Sequence, residues 1–422
     1  MQLSTARRDR TTTVESAPVR PQGRLRLILV LGGLSAFGPL SLDMYLPALP
    51  ELAGEFRVPD ATVQLTLTSC LVGLAAGQLI AGPLSDTYGR RKPLLIGLAG
   101  YALASVLCAF APSAEVLTGL RLVQGLAGAA GLVIARAIVG DLYEGRAAAR
   151  FFALLMLVNG LAPILAPLLG GQLLAVTDWR GIFAVLAVIG AGLLAAGAWG
   201  LRETLPVERR QTGGLGRTLR TARGLLGSGA FLAYALGGGF AMAALFAYIS
   251  GSTFVLQQVY GMSPQAFSLA FAANAVALVA VSQLGARLLD RCSPVALMRA
   301  GLLFQLLGAV LLLVSVAAGL GLAGVLPSLL LVVASIGLTL PNSTALAMSV
   351  RPEAGGTASA VLGVLQYGMG GVAAPLVGLG GTGSPWAMTV TIAGFAALAV
   401  AVGAGEKVLT RSANSVSLSS TG

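Results

Sequence analysis

Twelve apolar stretches, each long enough to cross a bilayer, run through this chain, and its charged residues lie almost entirely between them. About 20 mostly apolar residues span the hydrocarbon core as a helix. In lipid every backbone N–H and C=O must be satisfied internally, so such a chain folds as a bundle of transmembrane helices. The stretches fall near 25–49, 63–85, 93–111, 116–140, 151–176, 181–201, 229–256, 266–288, 295–318, 323–348, 357–380 and 386–405. Charged residues make up 10% of the chain, against about 25% in soluble domains. So few charges do not cover a water-facing surface, and an all-α membrane protein is expected.

The same spacing sets the organisation. Residues 1–24, with Arg7, Arg8, Arg10, Arg20 and Arg24, read as a polar cytoplasmic tail. The first apolar run exceeds the roughly 7–15 residues of a signal-peptide core, and is expected to stay as the first span. Of 27 basic residues only Arg57 and Arg180 fall in outward loops, and Arg121 in a span, if both termini are cytoplasmic. Basic residues favour the cytoplasmic side. Residues 202–228 form a long basic hydrophilic stretch, read as a solvated linker. It separates 25–201 from 229–405, six spans each, and 406–422 is a second cytoplasmic tail. QLIAGPLSDTYGRR (78–91) and SQLGARLLDRCSP (282–294) are a weak internal repeat, as in transporters built from parallel six-span halves.

Several functions are excluded. There is no histidine, and Cys70, Cys108 and Cys292 form neither a CxxC pair nor a disulfide framework, so no metal or other cofactor is expected. Basic residues do not alternate with aromatics, which removes support for nucleic-acid binding. No GxxxxGK[ST] run supports ATP drive. One buried acid without clustered catalytic groups argues against an intramembrane enzyme.

That acid is Asp43, in LRLILVLGGLSAFGPLSLDMYLPALP (25–50). A carboxylate at the centre of a span costs about 2.5–3.5 kcal/mol on insertion scales, so such residues mark ion or substrate pathways. Span one runs outward and span four inward. Asp43 and Arg121 therefore both lie in the outer half, roughly 10 Å from their helix ends at about 1.5 Å per residue, and are expected to interact directly or through water. Burial and a nearby arginine act oppositely on a carboxyl's proton affinity, which makes Asp43 the candidate proton carrier.

Several motifs carry a family resemblance. GPLSDTYGRRKP (82–93) resembles the loop motif of the major facilitator superfamily, with Gly82, Asp86, Gly89, Arg90 and Arg91 in place. LTGLRLVQGLAGAAG (117–131) is similar to the fourth-span motif through Arg121, Gln124 and Gly125. NGLAPILAPLLGGQL (159–173) resembles the antiporter motif of span five through Pro163, Pro167, Gly170 and Gly171, with Ala166 replacing a glycine. LDMYLPALP, DWRGIF, RETL and YISGSTFVLQQVYG look like the Bcr/CflA branch of drug–proton antiporters.

The resemblance implies the major facilitator fold, with twelve transmembrane helices in two six-helix halves. Gly82 would allow close helix approach. Asp86 would face the N-terminal end of span eleven, where the helix dipole favours an anion. Arg90 would pair with Asp141, latching the cytoplasmic side. Spans one, four, seven and ten would line a cavity, with Tyr45, Gln124, Phe246, Tyr248, Phe254 and Asn342 as substrate contacts, and Asn274, Gln366 and Tyr367 as weaker ones. The expected partners are a small-molecule substrate, protons and the bilayer of a bacterial-type cytoplasmic membrane, with the chain acting as a monomer. The expected activity is proton-coupled export of drugs or toxic metabolites. Import of a metabolite by the same fold, or a non-transporting sensor or scaffold, are the alternatives.

Overall fold

The structure, a computed structural model, describes residues 21–143, 145–210, 214–351, 355–379 and 383–419, all helix, turn or loop. The expected first tail lies outside them up to residue 20. The helices are α1 (Pro21–Ser35), α2 (Phe37–Asp43), α3 (Leu49–Phe56), α4 (Asp60–Tyr88), α5 (Arg91–Ala109), α6 (Ala114–Leu142), α7 (Gly145–Leu173), α8 (Trp179–Gly200), α9 (Gly214–Leu226), α10 (Gly229–Phe254), α11 (Pro264–Leu288), α12 (Pro294–Ala317), α13 (Gly321–Ser349), α14 (Gly355–Leu379) and α15 (Trp386–Ser419).

Ten of these are long and apolar enough to cross a membrane among the described residues, and the bent run Arg26–Ser35 with Phe37–Phe56 makes an eleventh. With α7 they are consistent with the twelve expected. Outward faces carry side chains such as Ile96, Leu103, Val188 and Leu303, each more than half exposed. A surface of that kind suits lipid rather than water.

The first span is not continuous. It bends by 43° around Ala36, where Pro39 has no N–H to offer the Ser35 carbonyl four residues back. Pro47 likewise leaves the Asp43 carbonyl without its i+4 donor. The helix α2 therefore stops at Asp43, and a 3-10 turn, Leu46–Ala48, follows.

In the first half α4 packs along α6, and α5 against α6 and α8; in the second, α12 packs on α13, and α10 on α14 and α15. Close contact between α4 and α6 requires Gly125, where any Cβ would enter the Cys70 carbonyl. The halves meet most extensively where α4 packs on α14 and α7 on α11.

The stretch read as a solvated linker holds α9. It buries Leu225 against Phe231, Ala347 and Val361, and touches α4, α10 and α14. Ala222 and Leu225, three residues apart, face that cluster while Arg220 and Arg223 are exposed, as in an amphipathic helix.

Candidate functional site

Asp43 ends up on the wall of a chamber between the halves. It is 7% exposed. The chamber holds about 160 Å³ and is lined also by Pro163, Phe246, Tyr248, Asn274 and Tyr367. The Tyr248 hydroxyl accepts a hydrogen bond from Asn274 Nδ2 at 2.9 Å, and its ring stacks on Phe271 with centroids 5.4 Å apart. Phe246 and Tyr367 lie 6.2 Å apart on adjacent helices. None of the described salt bridges takes up Asp43.

Of the two interactions expected with Arg121, direct or through water, the direct ion pair is not formed among the described residues. Arg121 is fully buried and turns to the backbone two residues away, its Nη2 donating to the Ser41 carbonyl at 2.8 Å. That carbonyl lies in the last turn of α2, where intrahelical donors run out. Nη1 donates to Gln124 Oε1 at 2.6 Å, and the guanidinium sits 5.0 Å from the Tyr45 ring centre and 5.6 Å from that of Phe183. Gln124 Nε2 donates to Ser105 Oγ at 2.7 Å. Ser105 Oγ donates to the Tyr101 carbonyl at 2.8 Å, and the Tyr101 and Ser41 hydroxyls lie 2.6 Å apart. The circuit closes on Ser41. It fixes the break in span one beside Asp43.

Of the six expected substrate contacts, Phe246 and Tyr248 line the chamber; the other four do not. Gln124 belongs to the Arg121 circuit. Tyr45 bonds Thr66 at 2.9 Å inside the first half. Phe254 is fully buried at the end of α10. Asn342 Nδ2 donates to Leu338 of its own helix at 2.7 Å. Gln124, Tyr45 and Asn342 each bond a partner within their own half. Asn274 and Tyr367, ranked lower from sequence, also line the chamber.

The span-five residues connect this chamber to its surroundings. Pro163 is in its wall. Gly170 lies so close to the Met44 carbonyl that a Cβ could not be placed, and Gly171 abuts Ser268 and Pro264 of α11. Pro167, buried between them, continues the same helix. One helix thus touches the break in span one, the chamber and the other half.

At the end where α4 meets α5, Arg90 is nearly buried. Its Nε donates to Asp141 Oδ2 at 2.9 Å and Nη1 to Ser85 Oγ at 2.8 Å, and it also pairs with Asp86. Gly89 makes the turn with φ +87°, a conformation that favours glycine. Arg91 is exposed and donates to the Ala198 carbonyl at 2.7 Å.

Glu203 of RETL completes this cluster. Its carboxylate accepts the backbone N–H groups of Arg90 at 2.7 Å and Arg91 at 3.2 Å, at the start of α5, where helix donors lack partners. Partial burial pushes its carboxyl up, but hydrogen bonds from Leu205, Arg90, Arg91 and Thr204 outweigh this and hold it below the usual range. Thr204 Oγ1 donates to Asp141 Oδ2 at 3.0 Å. An acid just beyond the end of α8 was the available signal for this role.

Asp86 and Gly82 line a second cavity of about 360 Å³ together with Thr357 and Ser359 in the first turns of α14. Asp86 and the start of span eleven do share one site. Gly82 is not a point of close helix approach: a Cβ there would meet only Val133, at 3.8 Å. Far from this end, Gln64 Nε2 donates to the Ser250 carbonyl and Gln257 Nε2 to that of Pro47, each at 3.3 Å. These bonds tie the halves together beyond the chamber.

Residues 31–375 match the model of the Major Facilitator Superfamily. The chain is 41% identical over 361 residues to the uncharacterized MFS-type transporter YdgK of Bacillus subtilis, covering 85% of this chain and 90% of that protein. It is 30% identical over 350 residues to a bicyclomycin resistance protein homolog of Haemophilus influenzae, covering 83% and 88%. In fold it is similar to a bacterial homolog of the human lysosomal transporter Spinster, in an inward-facing and occupied conformation. The TM-score is 0.74 at 15% identity, over 93% of this chain and 98% of that one. The chain is a multi-pass membrane transporter, not an enzyme, and belongs to the Major Facilitator Superfamily.

Proposed function

We propose that this protein exports small-molecule drugs or toxic metabolites across the bacterial cytoplasmic membrane in exchange for protons, working as a monomer by alternating access. The observation that carries this reading is a single carboxylate, Asp43, on an aromatic-lined chamber between two helical halves. Aromatic walls with few polar groups suit a bulky, moderately apolar ligand. Similarity to a bicyclomycin resistance protein homolog supports an antibiotic-like cargo, and the span-five prolines and glycines support exchange rather than import.

In this scheme the Arg90 end and both termini face the cytoplasm. Asp43 takes a proton from outside when the chamber faces out. Neutralised, it lets the empty carrier turn inward, and cargo arrival or deprotonation resets it. Arg121 contributes through the backbone: by holding the Ser41 carbonyl it ties the α2 break, and with it Asp43, to α6. Arg90, Asp86, Asp141 and Glu203 hold the cytoplasmic ends of the first half together and release on inward opening. Each proton entering supplies about 2.3 kcal/mol per 100 mV, nearly two decades of cargo gradient.

The test is growth of cells expressing wild type or Asp43→Asn on a panel of toxic compounds. Export predicts that wild type raises tolerance to a subset and that Asp43→Asn raises tolerance to none. Equal protection by both forms rejects proton carriage by Asp43, and a wild type that sensitises cells rejects export.

A further inference from the structure

The cavity of about 360 Å³ at the Arg90 end is separate from the Asp43 chamber, and the proposed proton carrier does not line it. Three charged residues face it: Asp86, Arg90 and Arg136. Arg90 is occupied by Asp86 and Asp141. Arg136, half-buried on α6, forms no hydrogen bond or ion pair among the described residues. Gln78, on α4, is 6% exposed, and its Nε2 has no hydrogen-bond partner among the described residues, while its Oε1 lies against Gly363 of α14. Buried donors in native structures are nearly always satisfied, and an exception calls for an explanation such as a missing ligand.

The two cavities lie in series. Ser359 lines the inner one, Tyr367 lines the Asp43 chamber, and Gly363 lies midway. Residues four apart share a helix face, so one face of α14 runs from one cavity to the other. Tyr367 is within electrostatic reach of both Arg136 and Asp43.

We propose that the inner cavity is a loading site that recognises an anionic group, a carboxylate or phosphate, on the transported molecule, bound by Arg136 and Gln78. Hydrogen bonds from a guanidinium to such an anion are charge-assisted and roughly twice as strong as neutral ones. The less polar remainder of the cargo extends toward the aromatic chamber, and the anion is held apart from Asp43. Loading from this end presupposes the export proposed above.

The test uses full-length protein in membranes, with Ser359→Cys and Cys292→Ser, since Cys70 and Cys108 are buried. The introduced thiol is labelled with an anionic sulfonatoethyl methanethiosulfonate and with its cationic trimethylammonium counterpart. Each rate is divided by that of the same reagent at exposed Cys292 in wild type. The expected preference for the anionic reagent is about tenfold or more, as for one unit charge acting over roughly 10 Å at an effective dielectric of about 20. Arg136→Gln removes it, Arg136→Lys retains it, and benzoate slows anionic labelling of the Ser359→Cys thiol where Arg136 is present but not in its Arg136→Gln form. Equal rates, a preference that survives Arg136→Gln, or no labelling by either reagent overturns the proposal. Labelling needs neither a proton gradient nor transport, so its failure is distinct from failure of the export reading.

Discussion

Replacing Arg121 by methionine, which keeps the length and removes the charge, tests the circuit that holds the break in span one. The change strands two buried acceptors, the Ser41 carbonyl and Gln124 Oε1. Each costs about 1–3 kcal/mol. It also removes cation–π contacts to Tyr45 and Phe183, worth about 0.5–2 kcal/mol each. Against this, a buried charge has been eliminated, which recovers several kcal/mol of desolvation. Its Nε makes no hydrogen bond among the described residues, so the original burial was incompletely compensated. The net expectation is a loss of about 2–4 kcal/mol. Cys70 and Cys108 are fully buried close to this circuit, so a thiol-reactive fluorescent maleimide reports its unfolding in a Cys292→Ser background. Adding Gln124→Met removes one stranded acceptor, and the double variant should be more stable than the sum of the singles by about 0.5–3 kcal/mol. An Arg121→Met protein that melts with wild type, or strictly additive singles, would refute this role.

Gly170→Ala places a methyl against the Met44 carbonyl and should lower stability by about 1–3 kcal/mol in the same melt, a typical cost of overpacking. Gly82→Ala, with open space around it, should leave the melting temperature unchanged. Glu203→Gln should weaken the Arg90 cluster at neutral pH, read by tryptophan fluorescence on heating. Because the folded carboxyl sits below its usual range, its stabilisation is present above the unfolded value of about 4.3 and is lost as pH falls through the folded one. The gap between wild type and variant should therefore close on acidification below about pH 4; a gap that widens there contradicts the assignment.

Much of the architecture was legible because lipid leaves few choices: apolar length marks a span. The Arg90–Asp141 pair was implied by the resemblance of GPLSDTYGRRKP to the family's loop motif, and the two side chains do meet. What could not be read was the direction each helix faces. In a soluble helix the polar face identifies the water side, but here both core and lipid are apolar, so hydropathy does not separate Tyr248, which faces the chamber, from Tyr45, which faces Phe183. Shared depth fixes only one coordinate; the Ser41 carbonyl, in the last turn of α2, takes up the Arg121 guanidinium instead of Asp43. The prolines were visible, and counting the carbonyl that each deprives of a donor would have located that break.

Transport in everted membrane vesicles tests proton carriage by Asp43 most directly. With the vesicle interior acidified and a compound to which wild type confers tolerance supplied outside, wild type should accumulate the compound, and collapsing the proton gradient should release it. Asp43→Asn should fail to accumulate it against a gradient while still exchanging labelled for unlabelled compound. Accumulation by Asp43→Asn at the wild-type rate and extent would contradict the assignment of the proton to Asp43.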